Sequence, residues 1–282
     1  MAVEVRVVTD PACAWSWATE PKLRRLEWEF GDRLDWRWVM GGMVREVGPM
    51  QRARYARVWP NVAVESGMPF DPRLWAEGGI DSSYPACQAV IAAGEQGRPA
   101  AELLLRRIRE GLMFGRRRLD RVSELIALAH ELEGEGIDPD RFEIDLRSDA
   151  ILEQLADQLE EARQIPAQAV AENATGCTGP IERVTFPSLT FVAADGTRRG
   201  VYGWQPYELY AEAAMASGAS EPGPPAPDAL AVLDRFGPSA TREIEEITGR
   251  SRAETEAELW RLACEGSVEP TTAMTGNLWK RV

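Results

Sequence analysis

The stretch Val3-Glu-Val-Arg-Val-Val-Thr-Asp10-Pro-Ala-Cys13-Ala-Trp15-Ser16-Trp17 decides how the rest of this 282-residue chain is read. Val3 to Val8 alternates apolar and polar side chains, the period of a half-buried strand, and Thr9-Asp10-Pro11 is its exit. A helix is expected from near Cys13 or Trp15 to Phe30, closed by Gly31, and a second strand from Leu34 to Met40 before Gly41-Gly42. Together they make a βαβ unit, and therefore a sheet with at least one helical layer. A cysteine between strand and helix sits where free backbone N–H groups and the helix dipole favour an anion, which lowers a thiol pKa. Cys13 is a placed nucleophile by position; the plainer alternative is a small buried residue that precedes a helix.

From Gln51 to about Val170 the apolar spacing is helical, with runs at Ala86–Ala93, Ala101–Glu110, Val122–Glu133 and Ala150–Arg163 and no convincing strand. Strand character returns at Ser188–Ala194, turns at Asp195-Gly196 and resumes at Thr197–Tyr202, a strong hairpin signal. A helix from Pro206 to Met215 follows, so the order is β-α-β, a helical insertion over about 51–172, then β-β-α, filling 1–216. Residues 217–227 carry Pro222, Pro224, Pro225 and Pro227 with two glycines and read as a linker. In 228–282, short helices at Ala229–Phe236, Thr241–Ile247 and Arg252–Glu265 and a hairpin from Val268 to Arg281 resemble a small winged helix, with Trp260 and Leu262 in its core.

Composition narrows the function classes. A formal net charge of −13 disfavours nucleic acid and anionic membrane as partners. Four scattered cysteines do not make a secreted disulfide framework, and one histidine, His130, argues against a histidine-built metal site. No apolar run approaches a membrane span and the N-terminus has no continuous apolar core, so a cytoplasmic protein with reduced thiols is expected. The arginines of 106–118 (Arg106, Arg107, Arg109, Arg116, Arg117 and Arg118) read as a solvated helix face with its loop rather than a carboxylate grip. Cys87 and Cys264 read as packed core, Cys177 as a lone thiol in a turn, His130 as a surface residue, and Glu245-Glu246 as carboxylates without a pocket.

A βαβ start carrying Cys-x-x-Ser, a helical insertion and a β-β-α close preceded by an x-Pro loop resembles the DsbA-type thioredoxin layout, most nearly the cytosolic dithiol–disulfide isomerases of that family. Asp10, Pro11, Cys13, Trp15, Trp17, Glu20, Pro21 and Leu23 stand in register with its first motif; Val39-Met-Gly-Gly42, Ser82-Ser-Tyr-Pro-Ala-Cys87 and Val184-Thr-Phe-Pro187-Ser-Leu resemble its later ones. The resemblance covers residues 1–216 and implies a thioredoxin-like α/β fold, a cis-Pro187 facing Cys13, and substrate docking by Phe186 and Pro187. Trp15, inside the motif, can line a hydrophobic peptide groove.

One departure matters: Ser16 stands where the family's second cysteine belongs, so no disulfide can form within the motif. A mixed disulfide then needs another resolving thiol, either a low-molecular-weight thiol as co-substrate or, less directly, Cys177. Ser16 can instead hydrogen-bond the Cys13 thiolate and lower its pKa further. The reading placed first is a monothiol oxidoreductase or isomerase acting on a protein or peptide disulfide, with Cys13 and Ser16 catalytic and no resident cofactor or metal. The alternatives are a non-catalytic adaptor holding a client protein, as some cytosolic relatives deliver a regulator to an ATP-dependent protease, or a glutathione-dependent kappa-type isomerase or transferase, whose members carry serine where this chain has Cys13.

A DNA-binding regulator ranks last. Residues 228–282 hold ten acids against seven bases, and Glu254, Glu256 and Glu258 lie on the helix that would enter the groove. The chain is therefore expected to leave duplex DNA unshifted in a gel at physiological salt; tight, salt-sensitive binding would overturn that reading.

Overall fold

A computed structural model describes residues 2–282. The first strand, β1 (Val3–Thr9), buries Val3, Val5 and Val7 on one face. It leads into α1 (Ala14–Phe30), with Cys13 as the residue preceding the helix and Gly31 ending it at a positive φ of 53°. After a short 3-10 turn, β2 (Leu34–Met40) lies parallel to β1, Val3 opposite Leu34. Each of these elements falls where the hydrophobic period places it.

The helical insertion comprises α2 (Pro49–Ser66), α3 (Arg73–Ala76), α4 (Tyr84–Gly94), α5 (Arg98–Arg109), α6 (Val122–Glu131), α7 (Pro139–Leu146), α8 (Asp149–Arg163) and α9 (Ala167–Ala171). A π-helical turn, Glu110–Phe114, extends α5 and packs Leu112 and Met113 into the core. A hairpin absent from the sequence reading follows, β3 (Thr175–Thr178) with β4 (Ile181–Val184). Both strands have four residues and neither alternates cleanly in burial, which leaves no period-2 signal. Cys177 is accordingly in β3, opposite Glu182, rather than in a turn.

The expected hairpin, β5 (Ser188–Val192) with β6 (Arg198–Tyr202), and a helix, α10 (Tyr207–Ala216), complete the first unit. Its sheet has the order β2-β1-β5-β6, β5 running antiparallel to β1. One face packs Leu23, Leu26 and Phe30 of α1 and Tyr210 of α10 on Val3, Val5, Leu189 and Phe191. This is the thioredoxin-like α/β arrangement with its helical insertion.

The C-terminal unit contains α11 (Ala229–Phe236), β7 (Ser239–Ala240), α12 (Thr241–Thr248), α13 (Arg252–Cys264), β8 (Val268–Ala273) and β9 (Gly276–Arg281), with sheet order β7-β9-β8. Val232, Leu233, Ile244, Ile247, Leu259, Leu262 and Trp279 form its core. Two expectations fail here. Trp260 is 48% exposed and meets Trp279 edge-on instead of entering the core. Cys264, on the last turn of α13, is exposed.

The two units are not merely tethered. In the linker, the Gly223 N–H donates to Glu29 O (2.6 Å) and Pro224 O accepts from Trp28 Nε1 (3.1 Å), strapping it along α1. α12 packs on α1 around buried charge: Glu243, fully buried, accepts from both arms of Arg106 (2.7 and 2.9 Å) and lies 3.2 Å from Arg24. Arg106 also reaches Glu20 (3.4 Å), and Glu20 pairs with Arg109, which is 1% exposed. The reading of this arginine cluster as a solvated face is therefore wrong for Arg106 and Arg109, which are the buried seam. Arg116, Arg117 and Arg118 pair at the surface with Glu77, Glu131 and Asp81.

Removing one member of a buried, hydrogen-bonded ion cluster strands the others without water. Glu243→Ala is expected to lower unfolding free energy by about 3–5 kcal/mol in urea titrations; a loss below about 1 kcal/mol would mean that water enters the seam freely.

Candidate functional site

Asp10 assembles the site. Its buried carboxylate accepts from Ala12 N (2.8 Å), the Met43 N–H, Ser83 Oγ (2.7 Å) and Cys87 Sγ (3.4 Å). These partners come from the β1–α1 loop, the segment after β2 and the start of α4, the same three stretches whose motifs stand out in the sequence. Cys87 is buried in the core as expected, its thiol pushed well up by burial and by the adjacent Asp10 charge.

The proline loop closes the other side. The Phe186–Pro187 peptide is cis, and Phe186 O accepts from Cys13 Sγ at 3.7 Å. Arg183 of β4 stacks its guanidinium 3.8 Å over the Phe186 ring and ties back to Thr178 Oγ1 (3.0 Å) and Val184 O (2.8 Å). Thr178 Oγ1 in turn donates to Gly42 O (2.8 Å). Beneath the ring lies Gly41, where a Cβ would come within 2.1 Å of it, so this position admits only glycine without displacing the loop.

Cys13 precedes α1 as its N-cap, and Ser16 stands at the third helical position, where the N-cap side chain meets free donors. The expectation that Cys13 titrates below an ordinary thiol does not hold. Cys13 is only 6% exposed, and burial pushes its thiol up; the neighbouring Ser16 dipoles and the Arg183 charge pull against this, while Asp10 adds to it. Position favours the anion, but desolvation outweighs it. The thiol proton thus rests on Phe186 O.

Ser16 is buried and has a partner that sequence reasoning missed. Thr9 Oγ1 donates to Ser16 Oγ (2.8 Å) and accepts from Arg109 Nη2 (2.6 Å). Thr9 ends a strand and Arg109 ends a helix a hundred residues later; no local pattern marks either. Trp15 is half-buried beside Cys13 and packs at 5.6 Å on Trp204, a second aromatic that the sequence did not single out. Cys177 is an exposed free thiol with no bond to Cys13. Glu245 and Glu246, read as lacking a pocket, line a cleft of about 620 Å³ between the units with Lys22, which burial brings down to about 8. Both are engaged by Arg242. Among the described residues no group of three His, Cys, Asp or Glu side chains is placed to hold a metal ion, and no helix is long and apolar enough to cross a membrane.

A family model described as Thioredoxin matches residues 7–170. Over 99% of its length the chain is similar to ClpXP adapter protein SpxH from Halalkalibacterium halodurans (25% identical, 88% of that protein) and from Bacillus subtilis (26% identical, 89%). In structure it is similar to the cytosolic disulfide reductase DsbM from Pseudomonas aeruginosa, with a TM-score of 0.56 and 23% identity over 76% of this chain and 98% of that one. At that identity the likeness is one of fold.

Burial at Cys13 has a kinetic consequence. Its alkylation rate in the native chain should climb with pH only beyond the free-thiol value of about 8.5, while the exposed Cys177 and Cys264 react as references. The sign for stability follows: above that pH the unfolded chain has lost a proton that the folded chain keeps, so stability falls as pH rises. Peptide-resolved mass spectrometry checks this, and a Cys13 midpoint below 8.5 would show that desolvation does not dominate.

Proposed function

The chain belongs to the thioredoxin family, and from that premise we propose that it is a protein-binding adaptor, holding a client protein for a ClpXP-type protease. One observation carries this reading: the similarity to adapter proteins runs through both units, the same two units that the buried Glu243–Arg106–Glu20 contacts join into one body. Thiol chemistry alone would call only on the first unit. Two features of the site support it. Cys13 is buried with its thiol pushed up, and Ser16 deprives the motif of a second sulfur. In this reading the surface at the half-buried Trp15 and Trp204, beside the Phe186–Pro187 loop, holds an extended client segment rather than exchanging disulfides with it. The proposal places the protein in the cytoplasm, with its four cysteines free.

The contact between Cys13 Sγ and Phe186 O favours a second reading, monothiol exchange. There the Cys13 thiolate attacks a protein, peptide or small-molecule disulfide, forms a mixed disulfide with one sulfur and releases the other as thiolate; a low-molecular-weight thiol then attacks the mixed disulfide and restores Cys13. The structure of the site gives no support to Cys177 as resolver, since it lies exposed on β3 with no bond to Cys13.

A reconstituted proteolysis assay separates the two. The adaptor reading expects this chain to accelerate ClpXP degradation of a client several-fold, with Cys13→Ser as effective as the parent. No acceleration would sink it, and acceleration that vanishes with Cys13→Ser would move the function to thiol exchange.

A further inference from the structure

Three arginines are buried among the described residues, Arg24, Arg109 and Arg183. Arg24 lies 3.2 Å from Glu243 and Arg109 pairs with Glu20, so two of the three have a carboxylate. Arg183 has none at ion-pair distance. Its Nε donates to Thr178 Oγ1 (3.0 Å) and its Nη1 to Val184 O (2.8 Å), both neutral acceptors. Nη2 bonds nothing in the chain and keeps an edge at the surface. Glu182, its neighbour on β4, is exposed and makes no ion pair with it. The buried Asp10 carboxylate acts on Arg183 only through space, its oxygens being occupied by N–H, O–H and S–H donors. A guanidinium stripped of water without a counter-ion is costly, and burial pulls Arg183 below the ordinary arginine range.

The guanidinium is nonetheless firmly seated. It stacks 3.8 Å over the Phe186 ring. Gly176, opposite it on β3, leaves the room, since a Cβ there would come within 2.9 Å of Nη1. Phe186 O is the acceptor of Cys13 Sγ, and Trp15 packs on the same cluster of Cys13, Val184 and Phe186. A fixed cation, unanswered from within a chain of net charge −13, thus stands on the loop that flanks Cys13.

We propose that Arg183 is an anion-docking residue: the free Nη2 edge of its guanidinium takes an Asp or Glu side-chain carboxylate of the client segment held beside the Phe186–Pro187 loop. That a client segment lies there rests on the adaptor reading; that a carboxylate is taken beside Cys13 does not. Charge complementarity selects the occupant, because a planar guanidinium meets a carboxylate with short, charge-assisted bonds. A side chain, rather than a chain end, suits an extended segment that also covers Trp15 and Trp204.

The test compares two reagents for one thiol in the full chain at about pH 9, above the free-thiol value: iodoacetate, which carries a carboxylate, and neutral iodoacetamide. Both need the thiolate, so the ratio of their rates cancels its amount and reads the preference for the anion. At Cys13 that ratio should stand about tenfold above its value at the exposed Cys264, the size of one charge-assisted hydrogen bond. A ratio no greater than at Cys264 overturns the proposal. Arg183→Met should bring the Cys13 ratio to the Cys264 value. An unchanged ratio overturns the proposal even where both rates shift, since a loosened loop or an altered thiol moves both reagents alike. If Arg183→Met does not fold, Arg183→Gln takes its place. In the parent chain, excess N-acetyl Val-Glu-Val amide should abolish the preference and N-acetyl Val-Gln-Val amide should leave it. Equal suppression by N-acetyl Val-Gln-Val free acid would give the site to chain ends and overturn the side-chain assignment. Neither client nor protease enters the ratio, so its result is independent of the proteolysis assay.

Discussion

Glu20 and Glu243 are shared among Arg24, Arg106 and Arg109 at the face where α1 meets the C-terminal unit, and the structure turns on that cluster. Stripping water from such ions costs several kcal/mol each, and only close, hydrogen-bonded partners offset the loss. The pairing is therefore strict. Glu243 takes both arms of Arg106 and also accepts the Ala240 N–H (2.7 Å), so the same carboxylate caps α12 and closes the seam. Arg24 adds a bond to Ser239 Oγ (2.8 Å), and Arg106 lies 4.5 Å over the Trp17 ring. A hydrophobic seam could slide; this one has a single register.

The same cluster runs on toward Cys13. Glu20 holds Arg109, Arg109 holds Thr9, and Thr9 holds Ser16. Asp10 does comparable work on the other side, where one buried carboxylate collects N–H, O–H and S–H donors from three segments. The thiol between them is thus fixed by contacts that reach far beyond its own helix, although its own surroundings are mostly apolar: Ala162, Val184 and Phe186 pack around it.

Much of this was legible in the sequence, and the limit has a physical cause. β1, α1 and β2 were readable because the alternation Val3, Val5, Val7 and the break at Gly31 are local signals. The hairpin at Asp195-Gly196 and the loop at Phe186-Pro187 were readable for the same reason, as was the buried Cys87. Thr9, Glu20, Arg109 and Glu243 were not. Each looks like an ordinary polar residue on a strand or helix, and its meaning comes from a partner far along the chain, 137 positions in the bond between Arg106 and Glu243. Arg109 was even grouped with the solvated arginines, since charge runs on helices usually are solvated. Trp260 failed in the opposite sense: a large apolar ring suggests a core, yet Leu259 and Leu262 fill it and the indole is left outside. The expectation of an acidic Cys13 thiol failed because a helix N-terminus is visible in sequence and depth is not.

The linker bears on how the seam could ever open. Ser220 and Glu221 accept from Arg33, Gly223 donates to Glu29 O, and Pro224 accepts from Trp28, so the tether is itself fastened to α1 up to the point where the C-terminal unit begins. A unit released from Arg24 and Arg106 would still be held within a few residues of its dock. Its local concentration there stays in the millimolar range typical of short tethers. Opening and closing are then intramolecular, and the balance between them is independent of how much of the protein a cell contains.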